Sequence, residues 1–174
     1  MDRGLHAKNA AMLAEGTQSI LDSAAGLSEQ QARMRPAPDC WSALECVEHV
    51  ILAENRMYEL LTVASAPAAS PDDGRREEIF VRASTNRSRK FAAPQFAHPT
   101  GRFASLAAAV EEFRLCRART EEYVAHCEQP LRSRSTTHPA VGPVSCQELV
   151  IIMALHPARH ALQIREIRQS LGIA

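Results

Sequence analysis

The sequence predicts an all-α protein built as a four-helix bundle. Aromatic residues make up only 5% of the chain, Ala and Leu are abundant, and four long segments carry apolar residues at helical spacing. With 174 residues the chain can bury a real core, so residues 1–174 are expected to form one domain. Twenty basic and twenty acidic residues give no net charge, which argues against binding to nucleic acid.

The first two long helices are bounded by residues that commonly stop or start a helix. The first is predicted over about 5–25, before Gly26. The second begins at Ser42, whose side chain can form a capping box with Glu45, and continues to about Ala64. Apolar residues surround the first half of this second helix, so it should contact more than one neighbour.

The third and fourth long helices also have identifiable caps. Ser105 should cap the third helix, which extends to about His126. Ser145 and Glu148 predict a second capping box for the fourth helix, which spans about 146–171. The charged residues of the third helix are interpreted as a solvated face, and they are Glu111, Glu112, Arg117, Arg119, Glu121 and Glu122.

The two segments that precede the third and fourth helices are rich in proline and differ greatly in length. Residues 65–102 are predicted to form a long crossover between the second and third helices, with a short helix near 76–82 and the rest wrapping the bundle. Long connections of this kind often carry function. The segment 138–143, between the third and fourth helices, is predicted to be a loop.

Cysteine usage and the lack of export signals predict a soluble, cytoplasmic protein. No N-terminal apolar run resembles a signal peptide, and no stretch approaches the length of a membrane span. The odd number and wide scatter of the cysteines favour reduced thiols over disulfides or a structural zinc site. Each is expected to be buried and inert, and the set is Cys40, Cys46, Cys116, Cys127 and Cys146.

The strongest functional signal is a pair of histidines in the fourth helix. His156 and His160 are four residues apart, so both imidazoles leave the same face one turn apart and can bind one divalent ion. That face also carries Ile164 and should point into the bundle. His49 lies in the apolar second helix and can supply a third ligand. Three neutral imidazoles suit Zn, Ni, Fe or Co and leave a position for water or substrate.

The alternative interpretation makes these three residues core histidines that are hydrogen-bonded to carbonyls or carboxylates. The helical pair taken alone fits either interpretation. The addition of His49 favours metal, because four-helix bundles commonly build metal sites from inward-facing side chains on facing helices. The remaining histidines fall near termini or loops and are not expected to be ligands, although His138 is the best candidate among them; they are His6, His98, His126 and His138.

Several blocks along nearly the whole chain together resemble the DinB-like superfamily, a group of bacterial four-helix proteins of the DinB and bacillithiol-transferase type. The blocks are Trp41-Ser42 with Glu48-His49, Arg87-Ser88-Arg89-Lys90, Pro99-Thr100-Gly101-Arg102-Phe103, His138-Pro139 with Gly142-Pro143, and His156-x-x-x-His160-x-x-Gln163-Ile164. The resemblance implies an up-and-down-like bundle with a long crossover, a homodimer, and a divalent metal on His49, His156 and His160.

Characterised members of that superfamily include metal-dependent enzymes that transfer or use low-molecular-weight thiols. The leading hypothesis is therefore a metal-dependent thiol S-transferase, with Zn, Ni or Fe as cofactor and with a thiol and an electrophile as substrates. No side chain is assigned as a catalytic base. Arg87, Arg89 and Lys90 are either contacts for thiol carboxylates or a solvated basic turn. The alternatives are a metal-dependent hydrolase and a non-catalytic metal-binding or stress-response protein.

One residue departs from the family pattern at the candidate site. Pro157 directly follows the first histidine of the helical pair, where relatives often carry an acidic residue. Proline inside a helix removes a backbone donor and usually bends the helix, at a cost of about 3 kcal/mol. The sequence therefore predicts that Pro157 changes the angle between His156 and His160, and that an acid which could orient a histidine is missing.

Overall fold

The computed structural model describes residues 3–64, 66–67, 74–84, 86–88 and 92–173 of the chain. Within them lie six α-helices, three short β-strands, and two 3₁₀ turns at Gln95–Ala97 and Leu131–Ser133. The helices are α1 (Arg3–Ala24), α2 (Glu29–Arg33), α3 (Ala43–Val63), α4 (Arg75–Ser84), α5 (Leu106–His126) and α6 (Cys146–Ser170). The strands are β1 (Ala66–Pro67), β2 (Arg134–His138) and β3 (Gly142–Ser145). The four long helices and the short α4 agree with the predicted segments to within a few residues.

Both predicted capping boxes are present at the starts of α3 and α6. The Ser42 hydroxyl accepts from the Glu45 amide at 3.3 Å, while the Glu45 carboxylate accepts from the Ser42 amide at 2.8 Å. Ser145 and Glu148 make the same reciprocal pair at 3.1 and 2.7 Å. Each box satisfies two backbone donors that a helix start leaves without partners, and so fixes where α3 and α6 begin.

Helices α1 and α6 pack side by side and run parallel. The buried amides of Asn9 and Gln147 exchange two hydrogen bonds of 3.0 and 2.8 Å near the start of both helices. Further along, Gly16 packs against Ala154 so closely that a Cβ on Gly16 would overlap the Ala154 carbonyl oxygen. Residue numbers therefore rise together along the two helices, and a glycine at position 16 permits the close approach.

Helices α3 and α5 also run parallel. Glu54 pairs with Arg117, and about two turns later along both helices the Leu61 carbonyl lies 3.5 Å from the Tyr123 hydroxyl. Each of α1 and α3 packs against both α5 and α6, so α1 and α3 lie diagonally across the bundle. The bundle departs from a strict up-and-down alternation only at the connection between α3 and α5, which is where the crossover was predicted. Because α3 and α5 are parallel, the chain between them has to return along the length of the bundle.

The segment between α5 and α6 contributes two strands to a small antiparallel sheet, and these strands include both ends of the loop that the sequence predicted over 138–143. Strand β2 pairs with β3 through Thr136 and Val144, and with β1 through Ser135 and Ala66, which gives the order β1-β2-β3. Gly142 opens β3 with a φ of 78°, a conformation that glycine adopts without strain. The strands are short and Pro143 interrupts the donor pattern, so alternation of apolar residues gave no strand signal.

The core consists of two apolar clusters separated by polar side chains. One cluster contains Val47, Val50, Phe113 and Ile164, and the other contains Leu13, Leu61, Leu149 and Met153. Between them along the helices lie five residues that we call the polar layer, which are Glu54, Arg117, Thr120, His156 and His160. Arg117 is only 1% exposed, so the interpretation of every charged residue of α5 as a solvated face is wrong for this residue.

The cysteines differ in exposure more than the sequence predicted. Cys46, Cys116 and Cys146 are buried, as expected. Cys40 is exposed and Cys127 is half-buried, so the prediction of uniformly buried thiols is wrong for these two. Among the helices of the described residues, none is both long and apolar enough to cross a membrane.

Candidate metal centre

Three histidines converge inside the bundle, and they are the three that the sequence selected. His49 comes from the first half of α3, and His156 and His160 come from the middle of α6. The Nε2 atom of His156 lies 3.2 Å from Nε2 of His49 and 3.1 Å from Nε2 of His160. Ligand nitrogens bound to one tetrahedral ion at about 2.0–2.1 Å lie roughly 3.3 Å apart, so the observed spacing is that of a shared ion.

Hydrogen bonds on the outer side of two rings fix their orientation. His49 Nδ1 donates to the Ala97 carbonyl at 2.7 Å, and His160 Nδ1 donates to the Gln163 side-chain oxygen at 3.0 Å. Because both acceptors are carbonyl oxygens, the proton is on Nδ1 and the Nε2 atom carries a lone pair. These two lone pairs therefore face the point where the three rings meet.

The surroundings keep the three imidazoles uncharged at neutral pH. Burial lowers the pKa of His49, against the opposing effect of its hydrogen bond to Ala97. Burial lowers the pKa of His156 and of His160 well below the usual histidine value, and charge repulsion from the other histidines of the group adds to this shift. A neutral imidazole is the form that binds a metal, so the group needs no deprotonation to act as a ligand set at pH 7.

His156 is the member whose hydrogen-bonding needs the protein does not meet. Its Nδ1 atom is buried and has no partner among the described residues. If Nε2 carries the proton, it can be donated to only one of the two facing nitrogens; if it does not, three lone pairs face one another. A cation at the centre satisfies all three nitrogens, so the donor set fits a divalent metal. Core histidines would not need their Nε2 atoms to converge.

Pro157 lies within α6 without separating the two histidines on either side of it. Helix α6 continues from Cys146 to Ser170, and the Nε2 atoms of His156 and His160 remain 3.1 Å apart. Proline cannot donate to the carbonyl four residues earlier, which belongs to Met153. Arg117 donates to that carbonyl instead, at 2.8 Å. Helix α6 therefore continues past Pro157, because a side chain of α5 replaces the missing backbone donor, while the predicted change in the angle between the two imidazoles stays a prediction.

An aromatic side chain covers one side of the histidine group. The Trp41 ring centre lies 4.7 Å from that of His49 and 6.4 Å from that of His160. His98 lies 6.2 Å from Trp41 but bonds to the Ala93 carbonyl at 3.0 Å and does not join the group. The indole therefore covers the group on this side. It offers no ligand atom, so the three histidine nitrogens are the only donor atoms that the described residues bring together there.

Comparison with known proteins identifies the family. The sequence model of the DinB superfamily matches residues 12–164. The chain belongs to the DinB superfamily. The uncharacterized protein YuaE of Bacillus subtilis (strain 168) is 22% identical over 148 residues, which cover 84% of this chain and 88% of YuaE. The structure of YfiT from Bacillus subtilis, described as a probable metal-dependent hydrolase with an unusual four-helix bundle topology, shares the fold. It matches with a TM-score of 0.63 and 14% identity, over 100% of this chain and 91% of YfiT.

In this DinB-superfamily chain the other histidines lie outside the convergent group. His138, on β2, accepts a hydrogen bond from the Ala140 amide at 3.1 Å, and its proximity contributes to lowering the pKa of His156. His126 is exposed at the end of α5 and pairs with Glu122. Sequence analysis ranked His138 first among these four histidines as a ligand candidate, and the structure keeps it out of the group of three nitrogens.

Sequence analysis missed a chain of polar contacts that extends outward from His160. The Gln163 oxygen that accepts from His160 also lies 3.4 Å from Arg87 Nη1. Arg87 in turn makes a two-pronged salt bridge with Glu166, at 2.8 and 2.7 Å. Arg87 is thus paired within the protein, while Arg89 and Lys90, the other two candidate contacts for a thiol carboxylate, lie outside the described residues.

A second unpredicted contact supports His49. Glu48 is fully buried, and its carboxylate accepts from the Thr100 amide at 2.7 Å, the Thr100 hydroxyl at 2.9 Å and the Gly101 amide at 3.0 Å. These bonds anchor Thr100 and Gly101, which follow the 3₁₀ turn Gln95–Ala97. The last residue of that turn, Ala97, accepts the hydrogen bond from His49. A glutamate inside an otherwise apolar helix was the available signal, since a buried carboxylate needs several donors.

No carboxylate joins the three histidines among the described residues. Glu48 faces three donors, and Glu54 is bonded to Arg117 at 3.1 Å and to the Thr120 hydroxyl at 2.7 Å. Burial raises the pKa of the Glu54 carboxyl, and the charge of Arg117 opposes that shift. Glu48 and Glu54 therefore hold segments of the bundle together, and no general base is assigned from these contacts.

Proposed function

We propose that this protein is a metal-dependent enzyme that transfers a low-molecular-weight thiol to an electrophilic small molecule. The cofactor would be a divalent transition metal such as Zn, Ni or Fe, held by His49, His156 and His160. The observation that carries the proposal is the convergence of three uncharged imidazoles, in which the Nε2 atom of His156 lies 3.2 Å from that of His49 and 3.1 Å from that of His160. This donor set matches the softness and geometry that such metals prefer.

The electrostatics of the histidine group favour an anionic nucleophile. Three neutral ligands contribute no negative charge, unlike a set that includes a carboxylate. A divalent metal bound there would keep its full charge and would hold a thiol in its ionised, nucleophilic form at neutral pH. The chain itself would orient the ligands through Ala97 and Gln163, and Trp41 would exclude water on one side.

Among the residues that the structure describes, no side chain is assigned as a general base at the histidine group, which supports a thiol over water as the nucleophile. A thiol loses its proton near pH 8.5, so it needs little help, whereas activating water usually takes a base as well as a metal. Glu48, the acidic neighbour of His49 in sequence, already accepts three hydrogen bonds. Hydrolysis is the second candidate, because the structural neighbour YfiT is described as a probable metal-dependent hydrolase.

Metal analysis of untagged protein is the first test. We expect about one equivalent of a transition metal in the wild type, and none in the variant that combines His156→Ala with His160→Ala. His126→Ala is the matched control, because that histidine is exposed and pairs with Glu122 instead. If the wild type cannot be loaded with added Zn, Ni or Fe, the three histidines are structural and the enzymatic proposal fails.

Activity assays on loaded protein then separate the candidate functions. Thiol transfer predicts metal-dependent conjugation of a low-molecular-weight thiol to an electrophile such as monobromobimane, with saturation in the thiol. Hydrolysis of activated esters or amides without thiol transfer would favour the hydrolase. A loaded protein inactive in both assays, but strongly destabilised by a chelator, would indicate a structural or sensing metal.

A further inference from the structure

The contacts that extend outward from His160 have fixed donor and acceptor roles. Arg87 reaches Gln163 from the crossover, and its Nη1 atom lies 3.4 Å from the side-chain oxygen of the glutamine. That same oxygen accepts from His160 Nδ1 at 3.0 Å. A guanidinium can only donate, whereas a side-chain amide has an oxygen that accepts and a nitrogen that donates. Arg87 therefore favours one of the two orientations of the Gln163 amide, in which the oxygen lies between the guanidinium and the imidazole.

The Arg87 side chain is held in place by contacts that do not involve the glutamine. Glu166 accepts from its Nε and Nη2 atoms at 2.8 and 2.7 Å, and only 19% of the Arg87 side chain is exposed. The backbone beside it is also fixed, because Arg159 donates to the carbonyls of Ser84 and Asn86 at 3.3 and 2.6 Å. A two-pronged pair between a guanidinium and a carboxylate restricts the orientation of both groups. The neighbouring amide therefore has to adapt to the guanidinium.

The orientation of the Gln163 amide decides which ring nitrogen of His160 carries the proton. Burial lowers the pKa of His160 well below the usual histidine value, and repulsion from His49 and Arg87 adds to this shift, so the ring is neutral and has one proton to place. An amide oxygen that faces Nδ1 requires this proton on Nδ1, and Nε2 then carries the lone pair that a metal needs. An amide nitrogen that faces Nδ1 requires the proton on Nε2, where it blocks metal binding. The ring stays uncharged in both tautomers.

The histidine group itself favours the tautomer that cannot bind a metal. The Nε2 atoms of His160 and His156 lie 3.1 Å apart, so a proton on the first can be donated to the second. This hydrogen bond replaces a contact between two lone pairs, and it therefore competes with the tautomer that leaves Nε2 of His160 unprotonated. A contact outside the group is needed to keep the proton on Nδ1.

We propose that Arg87 is a positioning residue of the metal centre, which selects through the Gln163 amide the His160 tautomer that can bind a metal. The inference rests on the metal site of the proposed function, but the contacts that carry it are formed by the chain alone. The charge of Arg87 by itself predicts the opposite effect, because a cation beside the site repels a divalent ion. The crossover thus strengthens metal binding without contributing a ligand.

The test removes both members of the ion pair, as Arg87→Met with Glu166→Leu, so that the net charge of the chain is unchanged. Removing Arg87 alone would leave the Glu166 carboxylate to attract the amide nitrogen and preserve the same orientation. The matched control is Arg82→Met with Glu78→Leu, since these two residues form an exposed ion pair of 3.7 Å within α4. Zinc affinity is measured by competition with a chromophoric chelator. We expect the double variant to bind zinc about 3- to 10-fold more weakly than the control, as follows when the competent tautomer falls from nearly all molecules to between about a third and a tenth of them. An affinity equal to that of the control, or higher, overturns the inference.

A second readout needs no metal. In metal-free protein labelled with ¹⁵N-histidine, the nitrogen chemical shifts show which ring nitrogen of His160 is protonated. We expect the proton on Nδ1 in the wild type, in the control and in Arg87→Lys, which keeps a donor at this position, and a large share of the Nε2-protonated form in the double variant. A double variant that keeps the wild-type tautomer overturns the inference. So does a wild type protonated mainly on Nε2, and this comparison decides even where the double variant does not fold. If the wild type binds no metal, the proposed function fails, and the tautomer measurement decides the inference by itself.

Discussion

Removal of the Arg117 side chain tests how the bundle accepts a proline between two candidate ligands. Pro157 has no amide proton for the Met153 carbonyl, and Arg117 donates to that carbonyl at 2.8 Å. The same guanidinium group pairs with Glu54 at 3.1 Å, and both side chains are 1% exposed. Loss of the Arg117 side chain should therefore lower the free energy of unfolding by a smaller amount in a chain where residue 157 can donate its own hydrogen bond to Met153.

The expected magnitudes follow from what each change leaves buried. Arg117→Met alone should lower the free energy of unfolding by about 3–5 kcal/mol, because Glu54 becomes a buried charge without its partner. Glu54→Gln removes that charge but leaves the Arg117 cation buried without its partner; this cost is the same with proline or alanine at residue 157, so it cancels in a double-mutant cycle. In this background, the effect of Arg117→Met on the free energy of unfolding should be more favourable by about 1 kcal/mol when Pro157→Ala is also present, because the alanine amide can donate to Met153.

The assay is urea unfolding of four metal-free proteins, all carrying Glu54→Gln: the parent, Arg117→Met, Pro157→Ala and the combination. A chelator is present throughout, since a bound metal would stabilise the folded state by mass action. The double-mutant cycle gives the coupling energy directly. Additivity to within about 0.3 kcal/mol would refute the claim that Arg117 replaces the donor that proline lacks.

Three further substitutions test other contacts. Gln163→Ala should weaken metal binding by about 10–100-fold, measured by competition with a chromophoric chelator, while Gln169→Ala on the exposed face of α6 should leave it unchanged. Gly16→Ala should lower the free energy of unfolding in urea by about 1–3 kcal/mol, because the new Cβ overlaps the Ala154 carbonyl; an unchanged or higher value would contradict the close packing of α1 and α6. Glu48→Gln should lower the free energy of unfolding in urea or heat by about 1–3 kcal/mol, because an amide nitrogen then faces backbone donors. It should also weaken metal binding, and an unaltered metal affinity would show that the Glu48 contacts do not support the histidine group.

The helices and the histidine group could be predicted because local rules determine them. Capping boxes at Ser42 and Ser145 mark the starts of α3 and α6 within a residue. A spacing of four residues places His156 and His160 on one face whatever surrounds the helix. His49 needed only the further assumption that α3 packs against α6 near its own N-terminal half.

The features that sequence analysis missed depend on contacts between distant segments. Arg117 lies among exposed charges of α5, and nothing in its neighbours distinguishes a side chain that crosses the core to Met153. The parallel orientation of α3 and α5 likewise depends on how the helices pack. Helical periodicity predicts which face of a helix is buried, but it does not predict in which direction the helix runs relative to its neighbours. Strands β2 and β3 are short enough that pairing with each other, more than local preference, defines them.

The topology and the candidate site depend on each other through the crossover. Because α3 and α5 are parallel, the connection between them has to start and finish at opposite ends of the bundle, and two described parts of its second half reach the histidine group or its glutamine. Ala97 accepts from His49, and Arg87 contacts the glutamine that orients His160. A bundle with a short, antiparallel connection would offer His49 Nδ1 no such carbonyl. The crossover therefore supplies the acceptor for His49 Nδ1 and a contact to Gln163, the residue of α6 that accepts from His160 Nδ1; with both protons on Nδ1, the Nε2 atoms carry the lone pairs that can bind a metal.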